Sequence, residues 1–483
     1  MDYFFIFLEN YNRLVITYQN KMSKGLLDKD KTTAMYKVLE GSNVLITGPG
    51  GVGKSTLLHI IYDTLVKKYS AYSVAKTSTT GISAINIDGY TIHSWAGIQL
   101  GEGTVEQLMA NMTPAHKKRF SYLKVLIIDE ISMLNPEILD KIYEINKRLN
   151  KNKVQWIFFG DPYQLPVVKS KKTFYESVAY QNHIRPTVIQ LRKIYRQNDL
   201  KTQLLLNKVR FGICDSQVRD TLNARIMNLE FTEHSIKPTV LFSKNITVSN
   251  INAIELKKLN KNIKTFHAQI TLVSLSEQNI GPQKRTQIIA DYFKNSTIEQ
   301  EVSLCVNAQI MIKRNMEVKV IDPEANDQGS SSQEMQKVVN GTRGIVHLIS
   351  DDSVIVRLRN DKLVLIEYIQ FTRKTDSFKL TVKQIPLKLA WACSIHSSQG
   401  LTLDYVETDI GTSIFDFGQA YVALSRVKSI DSLILKNFNE SSIFCNDKIL
   451  KEFDPCIYEI KNIPIFDDRI KNKILHYYIL NEM

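Results

Sequence analysis

Short apolar runs alternate with helix-period segments along the first two hundred residues. Residues 43–47, 73–77, 124–129 and 154–159 are β-type runs rich in Val, Ile, Leu and Phe. Between them, residues 33–40, 57–62 and 135–149 repeat their apolar positions at helical spacing. Continuous apolar strands separated by helices predict a parallel sheet covered on both faces. A Gly-containing loop at 97–103 interrupts the pattern after Gly89-Tyr90-Thr91-Ile92-His93-Ser94-Trp95.

A second unit starts beyond residue 200. Residues 240–242 are predicted as a strand, 250–259 as a basic helix and 302–312 as strand-like. A Pro/Gly/Ser-rich loop at 322–336 leads into residues 338–371, which are strongly β with Asn-Gly and Asp-Asp turns. That stretch predicts a small barrel inserted into a second α/β unit, whose pattern returns at 385–387 and runs to 436. The expected division is a lead-in at 1–30, a first α/β domain at 31–200, a second at 201–325 and 380–440, a β-rich insertion at 326–379, and a tail at 441–483 to which the pattern assigns no role.

Composition narrows the partners. The 483 residues carry a net charge of +13 and a pI of about 9.2, which favours a polyanion, either nucleic acid or an anionic membrane surface. No apolar run approaches the ~18 residues of a membrane span. The apolar residues 4–8 are flanked by Asp2 and Glu9, a poor signal peptide. Five scattered cysteines have neither zinc spacing nor a disulfide framework, in keeping with a reducing compartment. A soluble protein of the nucleus or cytoplasm is expected. The Lys/Asn/Ile-rich usage suggests an AT-rich genome such as that of a virus acting in its host cell.

The chemistry centres on Gly48-Pro49-Gly50-Gly51-Val52-Gly53-Lys54-Ser55-Thr56, a G-x-x-x-x-G-K-[ST] loop between a strand and a helix start. Its glycines let backbone N–H groups turn inward around phosphates, with the helix N-terminus adding positive potential. Lys54 is expected to reach the β- and γ-phosphates of ATP, and the Ser55 hydroxyl to ligate Mg²⁺. The strand at 125–129 ends in Asp129 and Glu130, a pair suited to holding Mg²⁺ and activating the attacking water. Gln164, in the turn after the next strand, is placed at the same sheet edge to sense the γ-phosphate. Arg196 and Arg426, in Leu191-Arg192-Lys193-Ile194-Tyr195-Arg196-Gln197 and Tyr421-Val422-Ala423-Leu424-Ser425-Arg426, are the candidate arginine fingers.

These segments occur in a familiar order: GPGGVGKST, TTGISAINIDGYTIHSW, LIIDEISML, FFGDPYQLPVV, LRKIYRQ, LFSKNITVSNIN, VNAQIMIKRN, VVNGTRGIV, IPLKLAWACSIHSSQGLTLD and AYVALSRVKS. Together they resemble the petite-integration-frequency (PIF-type) helicases, relatives of RecD in helicase superfamily 1. The resemblance covers about residues 31–436. It implies an α/β fold of two RecA-like parallel-sheet domains clamping one ATP, with an SH3-like β-rich insertion in the second. It also implies 5′-to-3′ unwinding by a monomer on single-stranded and forked duplex DNA, alongside replication or repair proteins.

By matching position, Gln399 and Gly400 join the ATP and DNA sites, while Thr80, Gly81, His93, His396 and Ser398 fall in motifs that touch the strand or its coupling network. The loop after Trp95, near 95–110, matches a pin-bearing insertion. Two positions depart from the family. Ser397 stands where Lys is usual, and Lys31 falls at the position of a Gln that reads adenine. Competing classes are an ATP-gated single-strand binding or remodelling protein, and a metabolite kinase. The kinase fits the loop but not the charge or the histidine motifs, and RNA is a competing strand for a backbone-tracking motor.

Overall fold

A computed structural model describes residues 27–167, 172–227, 236–243, 245–275, 280–295, 298–321, 334–374, 378–463 and 468–483. The apolar 4–8 patch, most of the lead-in and residues 322–333 of the expected loop lie outside the described residues. The first sheet has six parallel strands: β1 (Val44–Thr47), β2 (Val74–Ser78), β3 (Tyr90–Thr91), β4 (Val125–Asp129), β5 (Gln155–Phe159) and β6 (Thr187–Gln190), in the order β3-β2-β4-β5-β1-β6. β1, β2, β4 and β5 match the predicted apolar runs, and every residue in them is buried. β3 and β6 are short and partly exposed, so neither has a continuous apolar run to signal it.

Alternate residues of these strands feed two cores. Leu45, Leu126, Ile128, Trp156 and Phe158 face Ile138, Leu139, Ile142 and Ile145 of the helix Pro136–Leu149. That helix starts where Asn135 accepts a bond from the Glu137 N–H and proline occupies the first turn. On the other face, Val44, Ile46, Ile127, Ile157 and Phe159 meet Leu57, Leu58, Ile61 and Leu65 of the helix Lys54–Tyr69. The sheet is thus covered twice, and its strands all end at one edge. After Trp95 the chain makes the expected Gly-containing loop and then the helices Val105–Asn111 and Pro114–Tyr122.

The second parallel sheet has four strands in the order Ala392–Ser394, Thr239–Phe242, Val406–Ile410, Leu433–Phe438. The strand-like run at 302–312 resolves into Glu301–Leu304 and Gln309–Ile312, and both pair antiparallel. Gln309–Ile312 joins a seven-stranded antiparallel sheet with strands between Met316 and Leu389. Apolar content marks such a strand but does not say which sheet recruits it. Arg343, nearly fully buried in this sheet, donates to the carbonyls of Lys237 and Ala390 beside the parallel sheet.

The tail returns to the first half. Helices Asp447–Phe453, Pro455–Asn462 and Asp468–Glu482 place Ile449, Leu450, Ile457, Leu475 and Ile479 in the same core as Trp156 and Phe158. Leu450 is fully buried there. Leu450→Ala is expected to lower stability by about 2–5 kcal/mol. Thermal and urea unfolding check this, and an unchanged transition would show that the tail is not part of that core.

Candidate functional site

The loop after β1 is shaped by glycines that must lack a side chain. Gly48, Gly51 and Gly53 have φ of 145°, 92° and 86°. A Cβ on Gly48 would lie 2.4 Å from the Leu191 carbonyl oxygen, and one on Gly51 would lie 2.5 Å from the Cβ of Arg196. The Tyr195 N–H donates to the Gly51 carbonyl at 3.0 Å. The segment after β6 therefore packs directly on the loop and delivers Arg196 to it.

Lys54 opens the helix behind the loop, and its Nζ donates to the carbonyls of Gly48 (2.7 Å) and Pro49 (3.0 Å). Burial lowers its pKa, opposed by the negative charges of Asp161, Glu130 and Asp129. Ser55 and Thr56 are exposed. At the end of β4, Asp129 accepts from the Ser83 hydroxyl at 2.9 Å, and burial raises its pKa. Glu130 adopts a left-handed conformation, φ 55° and ψ 50°, uncommon for a non-glycine residue. Burial and the neighbouring Asp129 push its pKa up to about 7. Its Oε2 accepts from the Gln399 amide at 2.8 Å, a bond joining the two halves. The other amide atom of Gln399, Oε1, is buried with no partner among the described residues.

Two arginines close over the loop. Arg196 Nη1 donates to the Ser425 carbonyl at 3.0 Å. Arg426 donates from Nε to the Val422 carbonyl (2.7 Å), from Nη1 to the Ser398 carbonyl (3.2 Å) and from Nη2 to Ser425 Oγ (2.7 Å). A Cβ on Gly50 would lie 3.3 Å from Arg196 Nη1 and 3.5 Å from Arg426 Nη2. Among the described residues neither guanidinium has a carboxylate within ion-pair distance. Burial lowers Arg196 to about 10, while burial and the charge of Arg196 lower Arg426 to about 9. Arg426, fully buried, and Arg196, half-buried, lie side by side above Gly50; the negative charges of Glu130 and Asp161 act on Arg426 without direct contact, and the pair forms a site suited to a polyanion.

Gln164 is buried, with its amide donating to Asp161 Oδ2 at 3.4 Å. Asp161 itself is clamped by Arg210, whose Nε and Nη2 reach its carboxylate at 2.9–3.2 Å. Tyr421 donates to Asp161 Oδ2 at 3.2 Å and accepts the Gly50 N–H at 3.0 Å. Neither Arg210 nor Tyr421 was nominated from the sequence. Tyr421 lies within a recognised segment, whereas Arg210 carries no local signal. Lys31 is also buried: its Nζ is 3.1 Å from Asp28 Oδ2 and 4.0 Å from the centre of the Tyr195 ring. A Cβ on Gly53 would lie 3.4 Å from that Nζ.

The positions expected to meet a strand are divided. Thr80 caps the helix Gly81–Asn86 by accepting from the Ser83 N–H. His93 and His396 are half-buried, and burial lowers both pKa values. Gly400 is exposed with φ 78°. Ser398 is fully buried and its hydroxyl donates to the Ile395 carbonyl, so it supports the Arg426 shelf instead of reaching a surface. Ser397 bonds to Ser394 Oγ at 2.8 Å. A cavity of about 420 Å³ separates Gly81, Tyr90 and Ser94 from Arg314, Gln370 and Phe371 of the β-rich region.

The geometry defines a phosphate-loop nucleotide site completed by residues from both halves of the chain. The PIF1-like helicase family model matches residues 26–211. The chain is 30% identical to the uncharacterized protein 030L of invertebrate iridescent virus 6, over 93% of this chain and 97% of that protein. It is 32% identical to the ATP-dependent DNA helicase PIF1 of Danio rerio, over 88% of this chain but 63% of the longer relative. Its fold is similar to the crystal structure of Pif1 helicase from Candida albicans, with a TM-score of 0.67 and 32% identity over 89% of this chain and 99% of that one. Bacteroides Pif1 in complex with ADP-AlF3 and single-stranded DNA aligns with a TM-score of 0.57 and 25% identity, covering 89% and 97%. The chain belongs to the PIF1-like helicases.

Proposed function

We propose that this protein is an ATP-dependent DNA helicase that moves 5′-to-3′ on single-stranded DNA and unwinds duplex ahead of it, in replication, repair or recombination. The observation that carries the proposal is the pair of arginines above Gly50, one from each half of the chain and neither ion-paired among the described residues. An NTP would supply the direct anionic partner. Because Arg196 is held on the first half and Arg426 on the second, nucleotide binding and loss favour different separations of the halves.

The residues also fit Mg²⁺. One hydroxyl and one carboxylate are a donor set suited to an ion held chiefly by substrate phosphates and one or two protein groups. Ser55, exposed at the helix start, and Asp129, at the end of β4, are the groups that would hold it. When bound, Mg²⁺ neutralises charge on the phosphate oxygens. Glu130, restrained by Gln399, is assigned to orient and deprotonate the attacking water, and the unpartnered Gln399 Oε1 is a second acceptor beside it. Gln164 is assigned to γ-phosphate sensing.

DNA is assigned to the upper surfaces of both halves, including the cavity between Tyr90 and Arg314–Phe371. Its lining combines aromatic faces with Arg314, which pairs with Asp88 at 3.5 Å and would exchange that partner for a phosphate, and aromatic faces with a cation bind single strands without reading sequence. The net charge of +13 supports the same assignment.

The direct test is a forked-duplex assay comparing substrates with only a 5′ or only a 3′ single-stranded tail. Unwinding is expected from the 5′ tail with ATP present. Unwinding confined to 3′ tails would refute the polarity, and absence of unwinding from either would favour a binding or remodelling protein.

Lys31 yields a further expectation. Its ammonium can only donate, so it cannot reproduce an amide's simultaneous donation to N7 and acceptance from N6–H₂ of adenine, while N7 and O6 of guanine both accept. A bidentate base contact discriminates by roughly 1–3 kcal/mol, or about 5- to 150-fold. GTP is therefore expected to match ATP within about tenfold in both Kd and DNA-saturated kcat/KM. An ATP preference above about a hundredfold in both would contradict this reading of Lys31.

A further inference from the structure

The helices between Asp447 and Glu482 pack beside the phosphate loop. Pro49 shares a small cavity of about 30 Å³ with Arg210, Asp454, Tyr478 and Glu482. Glu482, at the end of the last helix, is 3.3 Å from Arg192, which also pairs with Asp30. Asp454 sits between Asp447–Phe453 and Pro455–Asn462, at the N-cap of the second helix. An aspartate there ordinarily caps its own helix. This one makes no side-chain cap bond; its Oδ2 accepts from the Tyr163 hydroxyl at 2.5 Å.

Tyr163 precedes Gln164, and its surroundings allow it one position. Its ring meets Phe211 edge-on, with centroids 5.2 Å apart at 85°, and lies 4.4 Å from the Arg210 guanidinium. Its N–H donates to Asp161 Oδ1 at 3.3 Å. From Asp161 the bonds continue through Tyr421 to the Gly50 N–H. Asp161 and Tyr163 are therefore held from outside the turn, and Gln164 bonds in turn to Asp161. The outermost of these holds comes from the tail.

We propose that the C-terminal helices are a positioning element of the nucleotide site, with Asp454 fixing Tyr163 and thereby the turn bearing Asp161 and Gln164. The proposal rests on the reading of that turn as facing the γ-phosphate. Asp454 acts only through Tyr163 and is a positioning residue. The competing role is simple coverage, in which the helices hide apolar surface and the Asp454–Tyr163 bond adds only stability.

DNA-stimulated ATP hydrolysis separates the two roles, using the full chain and four variants: Tyr163→Phe, Asp454→Ala, Asp454→Asn and the double Tyr163→Phe/Asp454→Ala. Tyr163→Phe keeps the ring and its packing. It and Asp454→Ala are each expected to lower kcat about 2- to 30-fold, with a smaller change in KM for ATP. The double variant should be no slower than the slower single, because both remove one interaction. Asp454→Asn, whose amide oxygen still accepts from Tyr163, should recover most of the loss.

Wild-type kcat in Tyr163→Phe overturns the proposal whatever the other variants do, including any that fail to fold. Additive losses, or a lower melting temperature with kcat unchanged, also overturn it. A wild-type protein that hydrolyses no ATP with DNA present would instead refute the functional reading on which the proposal rests.

Discussion

The arrangement of this protein depends on one unfavourable contact. Arg426 is buried and Arg196 half-buried, both lie within reach of the same glycine, and among the described residues neither is ion-paired, although the charges of Glu130 and Asp161 act on Arg426 from farther away. Backbone carbonyls and one hydroxyl hold their geometry but supply no net charge. Burying a charge unpaired is costly, and burying two side by side is more so. Such a pair is maintained where an anionic ligand completes it. The two parallel sheets present their strand ends to the cleft in which that ligand fits.

Around the cleft, polar groups are tied in series. Gln399 reaches across to Glu130, and Tyr421 links Gly50 to Asp161. Arg210 clamps Asp161 from behind, and Asp454 reaches Tyr163 from the tail. Separation of the halves would break the first two links, whereas the Asp454–Tyr163 bond joins elements of one core. Arg210 lies on a helix that packs into both cores, with Leu204 in one and Leu205, Leu206 and Val209 in the other.

Much of this was legible in the chain because strand ends carry the chemistry. An apolar run followed by GPGGVGKST, or by Asp129-Glu130, states both the element and the group it presents. The arginines were legible only as parts of longer matching segments, since a lone arginine resembles any surface residue. What escaped were contacts between distant residues. Gly50 and Tyr421 are 371 positions apart, and Tyr163 and Asp454 are 291 apart. Arg210 gave no sign because its partner Asp161 is 49 residues away and nothing local marks a buried cation. The run at 302–312 read correctly as strand, but its alternation could not reveal antiparallel partners. The tail helices were opaque for a similar reason: their apolar faces fit a surface built by residues 120–211, which only folding brings to them.

In this account the arginine pair is held without a direct ion-pair partner for the sake of the transferring phosphoryl group. Single-turnover ATP hydrolysis by Arg426→Ala with saturating DNA, beside equilibrium binding of a non-hydrolysed ATP analogue, tests it most directly. Removal of a charge that acts mainly in the transition state should slow hydrolysis by about 10³–10⁵-fold, while analogue binding weakens far less. Hydrolysis within a fewfold of wild type would contradict the account, as would losses in binding and hydrolysis of equal size.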